Sequence, residues 1–132
     1  MQQVTPGQRL SQPRFFPHDM TSLFDPVRLG EIALPNRIIM VPAAGAWPEQ
    51  RRVPDDSMRA YYAQRADAGL IIAGAASVSP LGVGHPDAPG IWNSAQAQGW
   101  RAVTDAVHQR GGRIVLQLWH AGRVSDPEYL SG

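Results

Sequence analysis

The run from Arg113 to Arg123, RIVLQLWHAGR, sets a carboxamide, an indole, an imidazole and a guanidinium directly after an apolar stretch. Gln117 carries a donor and an acceptor side by side, a pair that suits the edge of a heterocycle. Trp119, His120 and Arg123 follow where the strand opens into its loop, and α/β folds place ligands at the carboxyl ends of parallel strands. The chemistry this points to is recognition of a flat, polar-edged ligand. The same pattern allows a plainer reading of Gln117 as a core amide bonded to neighbouring backbone, because an unsatisfied buried amide costs about 1–3 kcal/mol. His85 is a further candidate, open to three readings: pocket lining, surface residue or metal ligand. His18, His108 and His120 do not share ligand spacing with it, so metal binding is not expected.

The elements that must position these groups follow from the apolar pattern. Ile114, Val115, Leu116 and Leu118, bounded by Gly111-Gly112 and Gly122, read as a parallel strand covered on both faces. Upstream, Val27-Arg28-Leu29, Gly30-Glu31 and Ile32-Ala33-Leu34 read as a small hairpin ending at Pro35. Ile38 to Val41 is the first core strand, closed by the small-residue turn Pro42-Ala43-Ala44-Gly45-Ala46, where a flat ligand can approach the backbone. A helix is expected to begin at Asp55 or Asp56 and stop before Gly69, with Met58, Tyr61, Tyr62 and Ala66 on its packing face. Leu70 to Ala76 is the second core strand and again ends in small residues. The stretch Ser77 to Asn93, broken by Pro80, Gly82, Gly84, Pro86, Pro89 and Gly90, is a long irregular connection of the sort that often carries function. A second helix should run from Asn93 or Ser94 to about Gln109, with Trp100, Val103 and Val107 inward. Three strands joined by two helices make right-handed βαβ units and a parallel sheet, yet such a sheet leaves two edges unpaired. It reads as part of something larger.

Composition excludes several classes. The net charge is +1, so no basic footprint points to nucleic acid or to an anionic membrane surface. All 12 cationic side chains are arginines, which removes Schiff-base and phosphate-loop lysines. With no cysteine there is no disulfide framework, thiol nucleophile or thiolate metal site. No segment has the ~18 unbroken apolar residues of a membrane span, and a cytoplasmic location is the default expectation. Residues 1–22 read as a flexible extension, with an organelle-targeting segment as the alternative, and residues 23–132 as the folded domain.

Four segments carry a closer resemblance. LFDPVRLGEIALPNRIIMVP, YYAQRADAGLII, SPLGVGHPDAPGIWN and GWRAVTDAVHQRGGRIVLQLWHAGRVS occur in this order from about Leu23 to Pro127. Together they resemble the old yellow enzyme family of FMN-dependent oxidoreductases, whose fold is a TIM (β/α)8 barrel. The resemblance implies an α/β fold holding the first three β/α units of that barrel, preceded by a β-hairpin, and therefore an incomplete barrel. It implies that Pro42, Ala43 and Ala44 lie along the flavin, that Ala75 packs beside the isoalloxazine ring, and that Gln117 pairs with the pyrimidine edge. Trp119 would line the pocket above the ring, and His85 stands where many members carry a pocket tyrosine.

The implied activity is reduction of α,β-unsaturated carbonyl compounds, with NAD(P)H donating hydride to FMN and the reduced flavin passing hydride to the β-carbon. At the position of Ala44 members usually carry threonine or cysteine, which contacts the flavin carbonyl and tunes its potential; alanine removes that contact. The residues that hold the substrate carbonyl, donate the proton and grip the FMN phosphate belong to later parts of the family pattern. The 132 residues are thus read as an amino-terminal portion, inactive alone, with an enone-like substrate and a carboxyl-terminal barrel portion or self-association as its partners. The alternative is a non-catalytic half-barrel that folds only as an oligomer or with a partner chain. A free-standing small α/β binding domain is the third reading.

Overall fold

The structure, a computed structural model, describes residues 21–43 and 52–130. Most of the expected extension at residues 1–22 lies outside these residues, as does Ala44. Five strands and two helices follow one another as β1 (Val27–Leu29), β2 (Ile32–Leu34), β3 (Ile39–Met40), α1 (Asp56–Ala63), β4 (Leu70–Ser77), α2 (Ser94–His108) and β5 (Ile114–Trp119). β1 and β2 pair antiparallel across Gly30, whose φ of 57° is the left-handed conformation a tight turn needs. β3, β4 and β5 form a parallel sheet in the order β3-β4-β5.

Local chemistry explains where the helices start and stop. The Asp55 carboxylate caps α1 by accepting from the Met58 N–H at 3.0 Å and from the Ser57 hydroxyl at 2.6 Å. The Asn93 side chain caps α2 by accepting from the Gln96 N–H at 2.9 Å. α2 ends before Gly111, whose φ of 77° supplies the left-handed turn that releases the chain into β5. α1 is shorter than its apolar spacing implies. It stops at Ala63, and Arg65 and Ala68 continue only in tight turns, because the chain must fold back within six residues to start β4 at Leu70.

The core lies between the sheet and the helices. Met58, Tyr62 and Ala66 from the α1 region, Trp100, Val103 and Val107 from α2, and Ile71, Ala73 and Ala76 from β4 are buried together, with Met40, Ile114 and Leu116 packed against them. Burying a side chain of Val, Leu or Met size contributes about 1.5–3 kcal/mol each, so this cluster is what holds the helices on the sheet. At the base of β3, Asn36 Nδ2 donates to the Asp67 carbonyl at 2.9 Å and its Oδ1 accepts from the Ile38 N–H at 3.0 Å. One side chain thus joins the entry of β3 to the turn before β4.

Two strands also differ from expectation. β5 is not covered on both faces: Ile114 and Leu116 pack on the core, whereas Val115, Gln117 and Leu118 are exposed. The physical reason is that both helices sit on one side of the sheet, and Gln117 points to the other. The first core strand is also shorter than Ile38 to Val41, since only Ile39 and Met40 pair with β4, and Val41 is 67% exposed.

The cap of α1 gives a pH-dependent contribution. Its hydrogen bonds from the Ser57 hydroxyl and the Met58 N–H hold the Asp55 carboxyl below its ordinary value. A depressed carboxyl stabilises the fold above the unfolded-state value and loses that contribution as acid protonates it. Asp55→Ala is expected to lower stability at neutral pH by about 1 kcal/mol. In denaturant titrations the deficit should shrink once the pH falls below about 4.

Candidate functional site

At the carboxyl ends of the three parallel strands an open concavity of about 330 Å³ is lined by Pro42, Ala43, Gly74, Ala75, His85, Gln117, Leu118 and Trp119. Each strand supplies one part of it. Pro42 and Ala43 follow β3, Gly74 and Ala75 belong to β4, and Gln117 to Trp119 close β5, while His85 comes from the β4–α2 connection. Six of the seven positions that the resemblance implies therefore surround one space. The seventh, Ala44, lies outside the described residues.

The floor is shaped by an irregularity in β4. Ala73 pairs with Leu116 and Ala76 with Leu118, so three steps along β4 match two along β5. The extra residue makes a bulge at Gly74-Ala75. The ladder cannot use the Gly74 N–H there, and the buried Tyr62 hydroxyl accepts it at 2.9 Å. α1 thereby reaches through the core and fixes the bulge. On the other side, a Cβ added to Gly74 would lie 2.8 Å from the Ala43 carbonyl oxygen, so the turn after β3 sits against bare backbone.

The walls are aromatic and polar. The His85 and Trp119 rings have centroids 5.5 Å apart at an interplanar angle of 50°. Gln117 is exposed and lines the concavity, with no hydrogen bond to another described residue. His120 does not join the site: its Nδ1 accepts from the Gly122 N–H at 3.0 Å, and its ring covers Gly82. Arg123 is exposed in a short 3-10 turn at Gly122–Val124. Among the described residues no arginine or carboxylate lines the concavity, His85 being its one ionisable side chain, and no group of histidines and carboxylates is arranged to hold a metal ion.

A family profile described as the NADH:flavin oxidoreductase / NADH oxidase family matches residues 22–131. The chain belongs to that family. It is 42% identical over 120 residues to the flavin oxidoreductase hxnT of Emericella nidulans, covering 83% of this chain and 30% of that protein. Among solved structures, the old yellow enzyme homologue of Zymomonas mobilis superposes with a TM-score of 0.81 at 46% identity, over 85% of this chain and 32% of that one. Morphinone reductase in complex with tetrahydroNAD superposes with a TM-score of 0.78 at 47% identity, over 83% and 31%. The chain thus spans about three-tenths of the length of these relatives. The relatives are TIM-barrel old yellow enzymes that use FMN and NAD(P)H, and this chain is a partial α/β unit whose sheet does not close.

The residues present fit the ring end of FMN. A bulged glycine, two alanines and a proline leave a floor without bulky side chains, an unbonded carboxamide stands at its margin, and two aromatic rings form a wall. They do not fit the phosphate end, since no cation lines the concavity. Sequence reasoning passed over Gly74, Leu118 and Arg52. Gly74 was visible only as one more small residue in a strand, although glycine inside a strand is itself a sign of a bulge or of close backbone approach.

Gly74→Ala tests the floor directly. The added methyl group meets backbone oxygen rather than a flexible side chain, so the turn at Pro42-Ala43 must move, at a cost of about 1–3 kcal/mol for overpacking. Urea unfolding should register that loss.

Proposed function

We propose that residues 23–132 form the first three β/α units of a TIM barrel, entered through the β1–β2 hairpin, and supply the isoalloxazine side of an FMN site in an old yellow enzyme-type oxidoreductase. The observation that carries this reading is the convergence of Pro42, Ala43, Ala75 and Gln117 with His85 and Trp119 on one concavity at the carboxyl ends of the strands. FMN, when bound, supplies the relay of hydride from NAD(P)H to the β-carbon of an α,β-unsaturated carbonyl compound. The chain's own residues bind and orient. Gln117 donates to and accepts from the pyrimidine edge; Pro42, Ala43 and Ala75 let the ring lie against backbone; Trp119 and His85 exclude water above it and line the place of an enone. Ala44 leaves the flavin carbonyl without a hydroxyl or thiol contact. The carbonyl-polarising pair and the proton donor come from other parts of the barrel, and so does the phosphate grip. We place the protein in the cytoplasm; among the described residues no helix is long and apolar enough to cross a membrane.

Without a phosphate anchor, the strongest electrostatic handle on FMN, the 132-residue chain should bind it weakly or not at all. Titration followed by flavin fluorescence checks this. Adding a separately prepared remainder of the barrel should restore saturable binding, and failure at high concentrations of both pieces would count against the reading. In that assembly Gln117→Leu should weaken FMN binding about tenfold, the worth of one to two hydrogen bonds.

The second reading, a non-catalytic half-barrel sustained by self-association or a partner, draws on the open side of the sheet. Ile39 and Val115 are 41% and 38% exposed there. This reading expects oligomers at micromolar concentration in sedimentation velocity. A folded monomer would remove it.

A further inference from the structure

Arg52 lies outside the concavity, yet its hydrogen bonds end on the segment that carries His85. Its Nη1 donates to the carbonyl oxygens of His85, Pro86 and Ala88 at 3.1, 2.8 and 3.0 Å. Its own carbonyl accepts from the Gly90 N–H at 2.9 Å. One residue in the loop after β3 therefore holds four backbone groups in the loop after β4. Three carbonyl dipoles aimed at one point repel one another unless a cation sits there, and a nitrogen with two hydrogens must share at least one of them to serve all three. The tight curve at residues 85–88 depends on that guanidinium.

The rest of the loop is tied elsewhere. At its base the Ser77 N–H donates to Pro89 O, the Ile91 N–H to Ser77 O and the Val78 N–H to Trp119 O, at 2.9, 2.9 and 3.0 Å. On the β5 side the Ala121 N–H donates to Gly82 O at 2.9 Å and the Ser125 hydroxyl to Val83 O. Between these anchors, His85 to Ala88 is held by Arg52 and by the local Ala88 N–H to His85 O bond at 3.3 Å. Arg52 takes a φ of 59°, the left-handed region that side chains other than glycine seldom adopt, and thereby presents its carbonyl and its guanidinium to the same loop.

We propose that Arg52 is a positioning residue that sets the His85 ring against Trp119 and so fixes the wall above the proposed flavin floor. Its consequence for substrate rests on the flavin reading; the positioning itself does not. The guanidinium acts at a distance from any ligand, through the carbonyl of the very residue whose ring faces the concavity. Substrate selection at this wall is then governed by a residue that never touches substrate.

Arg52→Gly separates side chain from backbone, because glycine accepts the left-handed φ and keeps the carbonyl to Gly90 while deleting the guanidinium. The readouts are amide hydrogen exchange and the ring proton shifts of His85 and Trp119 in isotope-labelled protein, none of which requires flavin. In Arg52→Gly the Ala88 amide should exchange about tenfold faster and the His85 and Trp119 shifts should move, while the Ile71 amide, bonded to Arg113 O in the sheet, keeps its protection. Arg52→Lys should recover part of the loss and serves as the test if the glycine variant does not fold. Unchanged Ala88 exchange and unchanged ring shifts overturn the proposal. So does an equal loss of protection at Ala88 and Ile71, which would make Arg52 a contributor to global stability alone. In the FMN-loaded assembly, cyclohexenone affinity should fall while FMN affinity holds; loop readouts that move while the assembly with the rest of the barrel fails to bind FMN would sink the flavin reading and leave the positioning intact.

Discussion

The bulge in β4 is the constraint from which the rest of the structure follows. A regular strand would give the Gly74 N–H to the ladder and set Ala73 and Ala76 in an unbroken register with β5. The extra residue instead frees that N–H, and the fold needs a buried hydroxyl to receive it. Tyr62 supplies the hydroxyl, which requires α1 to lie over the middle of β4 and not merely beside it. With α1 placed there, α2 fills the remaining width of the same face. Both helices are then committed to one side of the sheet, and the other side is left to the ligand-like residues.

That division explains why so plain a set of side chains can form a site. Small residues at the carboxyl end of β4 and after β3 leave the backbone bare, while the bulky groups that shape the space arrive from β5 and from the long connection. The binding surface is therefore a joint product of a rigid floor, set by the core, and a wall whose position is set by hydrogen bonds between loops.

Much of this was legible in the sequence because it is local. Asp55 and Asn93 announce their helices through their own side chains, and Gly111 marks a helix end because glycine accepts the left-handed conformation that other residues avoid. The alternation of Trp100, Val103 and Val107 tells which face of α2 is buried. Other features depended on distant partners and were not legible. The apolar run around Gln117 has the composition of a doubly covered strand, and only the placement of both helices on one face shows that the amide is exposed. Ile38 to Val41 reads as four strand residues, but a partner pairs with two of them. The three carbonyl partners of Arg52 lie 33 to 36 positions away, a separation no local pattern reports.

The one-sided core also bears on how a partial α/β unit of this type gains order. Each βαβ unit here buries its apolar residues against its own helices, with contacts between neighbouring elements of the chain, and not in a central space that exists only after the ring closes. Such units can gain order progressively as synthesis proceeds, since their stabilising contacts become available before distant segments are translated. The open sheet face is then the part that waits, and during that interval it is the surface on which a nascent chain is exposed to wrong encounters.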